Sequence, residues 1–493
     1  MEENYLSMFN KQVIKNPHKV IAEDDTGTYT YQKINQLSNQ LAHAILSHNV
    51  KKEDLIAVTM YHELDLLITL IAILKSGCGF VPIDPAMPFQ RMNKVLSESK
   101  AKLIISKRNL SVNISQIDPS QKNVSDYDNT LPKINIDKKD LCYCIFTSGS
   151  TGKPKGVIIE HLSLSNLIHG FEKSILSKKY SSIAAHTSIS FDIFIVETLL
   201  PLALGIKVIL MPLRVQKNPR LFTKFIKEKR IEILQLTPSR LLQITQSNPD
   251  THYQDLKLVL IGGEKVHASV LEDLSVSSDT RLFNVYGPTE TTVWVTFKEI
   301  DNKTRLTVGK PFPGNQITIL KDTYEVKQGE IGEVCITGLN VGRGYINTNQ
   351  NNNSSFVLKN GKRSYLTGDE GFINSKGELE ILGRYDEQVK INGFRVELDE
   401  IRNCILMHPN IKNCIVTVTK KDIFNNGIVA FVEVKNQLLL KEFKNFLIGM
   451  LPNYMLPYQI IPLNKIPLTL NGKADKQKLM DLLNRKTKDQ VFF

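Results

Sequence analysis

Short apolar runs alternate with helix-patterned segments up to about residue 380, and this alternation limits the fold more than any other feature. "DLIAVTM", "KLIISK", "LCYCIFT", "IKVILMPL", "IEILQLT" and "LKLVLIGG" read as buried strands. Between strands, "QKINQLSNQLAHAILS" and "ELDLLITLIAILKSG" carry apolar residues at helical spacing, the second closing on a glycine. Strands that alternate with helices imply parallel sheets with helices on both faces. The expected fold class is therefore α/β, with a large N-terminal domain of parallel-rich sheets flanked by helices.

After "GRYDEQVKINGFRVELDEI" the pattern changes to a short helix, the strands "NCIVTVT" and "GIVAFVEV", and another helix. That reads as a small α+β unit of roughly one hundred residues. The boundary is expected near Tyr385 and Asp386, dividing the chain into 1–385 and 386–493. The stretch "NTNQNNNSS" is a polar loop with no core-forming residue.

With 42% apolar and 23% charged residues, the 493-residue chain is globular and can bury a large core. The net charge of +12 would suit an acidic partner, but no block of five or more basic residues occurs, which argues against nucleic acid. The six cysteines form no CxxC and no metal spacing; Cys142 and Cys144 alternate along an expected strand as small core residues. The start "MEENYLSMFNKQ" lacks a signal-peptide apolar region, and "ETLLPLALGIKVILMPL" is cut by Pro201 and Lys207, too polar for a membrane span. A reduced, soluble, cytoplasmic protein without membrane or nucleic-acid partners is expected.

"FTSGSTGKPKGV", residues 146–157, follows an apolar run and asks to hold a phosphate. It is not a Walker A loop, because Gly152-Lys153 is followed by Pro154 where a magnesium-binding hydroxyl is needed. Its glycines still allow close backbone approach, its hydroxyls donate hydrogen bonds and its lysines supply charge. Taken alone, the loop is equally a polar turn between strand and helix.

"TSGSTGKPKGV" resembles the phosphate loop of the adenylate-forming enzymes, which include acyl-CoA synthetases, luciferases and adenylation domains of nonribosomal peptide synthetases. "LKSGCGFVPIDP", "FDIFIVETLLPLALG", "NVYGPTETT", "GEVCITGLNVGRGY", "YLTGDEG", "GRYDEQVKINGFRVEL" and "LTLNGKADKQKL" follow in the family's order, between residues 74 and 479. The resemblance implies a small distorted barrel in the large domain and a mobile C-terminal domain. It also implies two half-reactions: a carboxylate attacks the α-phosphorus of Mg·ATP, then a thiol takes the acyl group from the adenylate.

By the same resemblance Lys473 bridges the carboxylate, α-phosphate and ribose, as a point charge on a flexible stem can. Thr147 and Ser148, with Gly149, Ser150, Thr151 and Lys153, would hold the β- and γ-phosphates. Glu290 would coordinate Mg2+ as a hard oxygen ligand, and Thr289 would contact the α-phosphate. Tyr286 would stack on adenine with Asn284 at its edge, and Gly263, Glu264, Val285, Gly287 and Ile381 would complete the ATP site. Asp369 would accept from the ribose hydroxyls with Arg384 assisting, and Asp386 would be the hinge of the small domain. Read without the family, Asp369 is a turn aspartate and Tyr286 a core tyrosine. Glu370 and Asn392 depart from the usual pattern, which has an apolar residue and an arginine there.

Asp192 in "SFDIF" matches the aspartate that binds the α-ammonium in amino-acid-activating members; the plainer alternative is a helix N-cap. Ile193, Val196, Gln235, Leu260, Gly262, Val285, Val293 and Trp294 would line the rest of the pocket, with Lys473. Trp294, the one tryptophan, would exclude large side chains by overlap, so the lining resembles a glycine-type pattern, with alanine second. D-alanine–carrier protein ligases, which typically have cysteine at the position of Gly262 and lack the tryptophan, are one alternative; acyl-CoA synthetases are another. Only 20 residues follow Lys473, too few for a carrier domain, so a phosphopantetheine-bearing carrier protein is expected on a separate chain, the alternative being that this sequence is a segment of a larger synthetase; the starting Met1 favours the first.

Overall fold

The computed structural model describes residues 3–149, 154–176, 178–249, 251–272, 274–301, 306–347, 354–386, 388–391, 393–420, 426–435, 438–467, 474–484 and 491–492. The chain divides into two compact units. One comprises Met1–Pro85, Leu96–Phe146 and Gly156–Tyr385; the other comprises Ala86–Val95, Thr147–Lys155 and Asp386–Phe493.

Every run read as a strand in the larger unit is one. Among the described residues a nine-stranded sheet has six parallel neighbours at its centre: Arg281–Tyr286, Leu258–Gly262, Ile233–Leu236, Ser182–Ala185, Lys207–Leu210 and Val20–Glu23. A seven-stranded sheet is built around Leu141–Thr147, Gly79–Pro82, Leu55–Thr59 and Leu103–Ser106, also parallel. Parallel strands need long crossovers, and the helices Tyr31–Leu46 and Leu64–Lys75 lie in the segments read as helical. A third, antiparallel sheet joins Asn315–Lys321, Gly332–Gly338, Lys362–Ile373 and Leu379–Arg384; it curls into half a barrel.

Helix Leu64–Lys75 is buried at every residue but Asp65, which accounts for its nearly continuous apolar sequence. Its last residue is the exception in chemistry. The Lys75 amine is enclosed, donating to Asn35 Oδ1 at 2.7 Å, Ser38 Oγ at 2.8 Å and Asn39 Oδ1 at 2.7 Å, and it lies 5.6 Å from the Phe9 ring centroid. One buried amine thereby ties helix Leu64–Lys75 to helix Tyr31–Leu46.

The smaller unit contains a four-stranded sheet of Ile411–Lys420, Asn426–Val434, Gln459–Leu463 and Val491–Phe492. Helices Leu398–Leu406 and Leu440–Met450 cover a core that includes Ile401, Ile405, Val432, Phe443 and Leu447. Arg91 and Glu400 pair within this unit with both side chains buried. All six cysteines are free and buried. No helix among the described residues is long and apolar enough to cross a membrane.

Burial pushes the Lys75 amine down to about 7 from its ordinary value. Above about pH 7 the folded chain then carries one proton fewer than the unfolded chain, until the ordinary lysine range is reached. The Lys75 contribution to stability should therefore rise with pH across that window. Urea unfolding of the wild type and Lys75→Met at pH 7 and pH 9 checks this, and the substitution should flatten the rise.

Candidate active site

Strand Arg281–Tyr286 is the last parallel strand of the nine-stranded sheet, and its C-terminal end delivers Asn284, Val285 and Tyr286. The Tyr286 hydroxyl donates to Asp369 Oδ2, and Arg384 Nη1 donates to Asp369 Oδ1 at 2.6 Å. Asp369 and Arg384 face each other across the pair Lys362–Ile373 and Leu379–Arg384, so sheet register sets the ion pair. Asp369 is a strand residue here rather than a turn aspartate. Its carboxylate is buried, with the phenol on one oxygen and the guanidinium on the other. Burial, reinforced by the nearby carboxylate, holds the Tyr286 phenol well above its ordinary range, so it remains a donor. Ile381 lies opposite Gly371 in the same pair, and Asn284 Nδ2 donates to the Thr307 carbonyl at 2.8 Å.

Beyond Tyr286 the chain reverses sharply. Thr296–Glu299 returns antiparallel to Arg281–Tyr286, and Val295 N donates to the Tyr286 carbonyl at 2.8 Å. Gly287 is required at this reversal: a Cβ there would lie 2.7 Å from the Val293 carbonyl oxygen and 2.8 Å from Trp294 Cα. Glu290 sits in the 3-10 turn Thr289–Thr291, fully buried, and its Oε1 accepts from the Tyr345 hydroxyl at 2.6 Å. Thr292 and Val293 then adopt left-handed conformations, with φ of 58° and 65°. Trp294 N donates to the Thr292 carbonyl at 2.8 Å, which closes a γ-turn of the strained positive-φ kind around a β-branched residue. Such conformations cost on the order of 1–3 kcal/mol each and persist only where the surroundings enforce them.

Trp294 is fully buried, with its ring stacked on Phe171 at 6.3 Å between centroids. Ile193, Val196, Leu260, Val285, Val293 and Trp294 all belong to one contiguous core cluster, which also includes Tyr143. Asp192 is buried beside Tyr143, whose phenol is pushed well above its ordinary range by burial and then by that carboxylate. Ile193 holds the cap position of the helix Phe194–Glu197, so Asp192 sits one residue ahead of it. Gln235 neighbours Leu260 in the parallel sheet and is buried, and its Nε2 has no hydrogen-bond partner among the described residues. Gly262 lies opposite Val285, and a Cβ on it would meet the Val285 carbonyl oxygen at 2.6 Å and Cγ2 at 2.8 Å. Gly263 is left-handed at φ 86°, and the adjacent Glu264 accepts from Ser239 Oγ at 2.6 Å.

The remaining candidates belong to the smaller unit or lie outside the described residues. Thr147, Ser148 and Gly149 group with the smaller unit, where Ser148 Oγ donates to the Arg395 carbonyl at 2.8 Å. Asp386 begins the C-terminal part of that unit, and its Oδ1 accepts from Gln388 N at 3.2 Å. Ser150, Thr151, Lys153, Asn392 and Lys473 lie outside the described residues. Sequence reasoning missed Tyr345, Asn340 and Phe171. Tyr345 and Asn340 lie within the quoted "GLNVGRGY", where a motif marks importance but not which atoms meet; Phe171 carried no signal at all.

No group of three or more His, Cys, Asp or Glu among the described residues could hold a metal ion. Glu290 offers one hard carboxylate. Magnesium is commonly held by one or two carboxylates with phosphate oxygens and water completing the shell, so Glu290 fits an ion that arrives with a nucleotide.

A family profile described as AMP-binding enzyme matches residues 9–346. The chain belongs to that family, the ATP-dependent, AMP-forming ligases. Within the family it is of the nonribosomal peptide synthetase adenylation type. It is 32% identical over 483 residues to gramicidin S synthase 2 of Brevibacillus brevis, a match covering 96% of this chain but 11% of that one. The chain thus spans about a tenth of that relative. It is also 31% identical to zwittermicin A synthase ZmaJ of Bacillus cereus, covering 96% of this chain and 94% of that protein. Among solved structures, holo-PA1221, an NRPS protein containing adenylation and PCP domains, shares the fold with a TM-score of 0.85 at 22% identity, covering 98% of this chain and 84% of that one. Holo-AB3403, a four-domain nonribosomal peptide synthetase, aligns with a TM-score of 0.70 at 26% identity, covering all of this chain and 37% of that one.

Removing the Asp369 carboxylate breaks an ion pair between a buried carboxylate and a half-buried guanidinium; for a fully buried pair such a loss costs about 3–5 kcal/mol, which is the upper bound here. Asp369→Ala should therefore lose up to that amount in denaturant unfolding, more than Tyr286→Phe, whose lost hydrogen bond to the carboxylate is worth about 1–3 kcal/mol.

Proposed function

We propose that this protein activates a small amino acid, glycine first and alanine second, with Mg·ATP, and then passes it to the phosphopantetheine thiol of a carrier protein. The observation that carries the reading is the loop from Tyr286 to Trp294. It ends in a buried tryptophan on one side and offers Tyr286 to Asp369 and Arg384 on the other. A nucleotide site and a small, closed side-chain pocket would therefore share one loop.

In this reading Asp369 accepts both ribose hydroxyls, which an oriented acceptor-only group does well, and Arg384 fixes its rotamer and lends positive charge. Tyr286 presents its ring to adenine. Thr289 and Glu290 face the phosphates, with Glu290 as magnesium ligand; the ion neutralises the charge that builds up as two anions meet. In this reading an amino acid supplies its α-ammonium to the buried Asp192 carboxylate. A fatty or aryl acid would not, which weighs against acyl-CoA synthetase. D-alanine ligases typically carry cysteine in place of Gly262, where Val285 leaves no room for a side chain. Holo-AB3403 is described bound to AMP and glycine, which supports the same substrate choice here.

Lys473 would bridge carboxylate and α-phosphate in the first half-reaction, with residues 386–493 turning about Asp386 so that the thiol can enter for the second. The loop 147–153 would clamp the departing pyrophosphate.

Amino-acid-dependent ATP–pyrophosphate exchange across the twenty amino acids, D-alanine and a fatty acid tests the reading. Exchange should be strongest with glycine; strong exchange with phenylalanine, or with the fatty acid alone, would overturn it. Lys473→Ala should lower adenylate formation by about 10²-fold or more, the scale for losing one positioned transition-state charge. Thiol transfer from supplied aminoacyl adenylate should be nearly unchanged, as single-turnover loading of a carrier protein would show.

A further inference from the structure

The strained turn Thr292–Trp294 must be held by something, and one residue meets it from both ends, with its side chain at one and its backbone carbonyl at the other. Asn340 is fully buried. Its Nδ2 donates to the Trp294 carbonyl at 3.1 Å, and its own carbonyl accepts from Thr292 Oγ1 at 2.6 Å. These bonds bracket Val293, the β-branched residue at φ 65°. Asn340 is itself fixed from two further directions: Oδ1 accepts from Asn166 Nδ2 at 2.6 Å, and its backbone N–H donates to Asn315 Oδ1 at 3.0 Å. Asn166 lies on helix His161–Ser174, the same helix that supplies Phe171 beneath the Trp294 ring. Helix and clamp therefore hold the indole by its face and by its backbone. A buried amide with both its donor and its acceptor engaged is rigid, because releasing either bond would strand a polar group away from water.

We propose that Asn340 is a positioning residue that holds the strained turn and thereby sets how far Trp294 closes the substrate pocket. The inference rests on the reading that Trp294 forms the end of that pocket. Loss of the clamp lets Val293 leave the left-handed region, the indole withdraws and the pocket deepens.

Because Trp294 is the chain's one tryptophan, its fluorescence reports on this position alone. Asn340→Ala and Thr292→Val should each red-shift the emission and raise acrylamide quenching while far-ultraviolet circular dichroism stays that of the folded wild type. Each should also reduce the glycine-over-alanine preference in kcat/KM by about tenfold, the scale of one methylene, with the KM for ATP unchanged. Thr292→Val is isosteric and keeps the test available should Asn340→Ala fail to fold. Folded variants with wild-type emission and wild-type selectivity overturn the proposal. Trp294→Ala separates it from the pocket reading: if that variant keeps the wild-type preference, the pocket reading has failed. If it relaxes the preference while the clamp variants do not, only the clamp has failed.

Discussion

When the chain leaves strand Arg281–Tyr286 it has nine residues in which to reverse and pair with itself from Thr296 onward. That distance is short, and the residues in it are not free to relax. The missing Cβ at Gly287 lets the Val293–Trp294 backbone pass within ordinary contact. The left-handed pair Thr292 and Val293 turns the indole into the core. The same reversal leaves Glu290 in a buried 3-10 turn, tied to Tyr345. Residues that would meet adenine, metal and substrate are thus set by one backbone path. Strain of this kind is usual at functional sites because the surrounding structure, here Asn340 and the helix carrying Phe171, enforces it.

The α/β class and the parallel strands were legible because apolar runs of strand length alternate with helical patterns, and burial follows that alternation closely. Cys142 and Cys144 are buried as their alternation implied. Helix Leu64–Lys75 shows how far such reading goes: its apolar residues announced burial, but nothing announced that Lys75 would be enclosed by Asn35, Ser38 and Asn39. The amide partners are unremarkable polar residues in sequence, and only the packing of two helices brings them to the amine.

The candidate site divides in the same way. Motifs name Tyr286, Asp369 and Arg384; register in one antiparallel pair joins Asp369 to Arg384, and Tyr286 reaches the same carboxylate from another sheet. Pattern alone makes Asp369 a turn residue and Tyr286 a core residue; the first is a strand residue, and the second is buried and hydrogen-bonded to a carboxylate. The left-handed Val293 was invisible beforehand, since valine is among the residues least suited to that conformation. Sequence propensity fails at this position because tertiary hydrogen bonds override it, and the override lies where selectivity is proposed to reside.

The proposed division of labour assigns nucleotide to the Tyr286–Asp369–Arg384 group and a small amino acid to the pocket bounded by Asp192 and Trp294. It is tested most directly by equilibrium binding of non-hydrolysable aminoacyl sulfamoyl adenosines, measured by isothermal titration calorimetry. These ligands engage both halves at once and require no turnover. The glycyl compound should bind tightest, with the alanyl compound next and the phenylalanyl compound weaker by about 10²-fold or more, as overlap with a rigid indole requires. Equal or tighter binding of the phenylalanyl compound, or tightest binding of a fatty-acyl analogue, would contradict it.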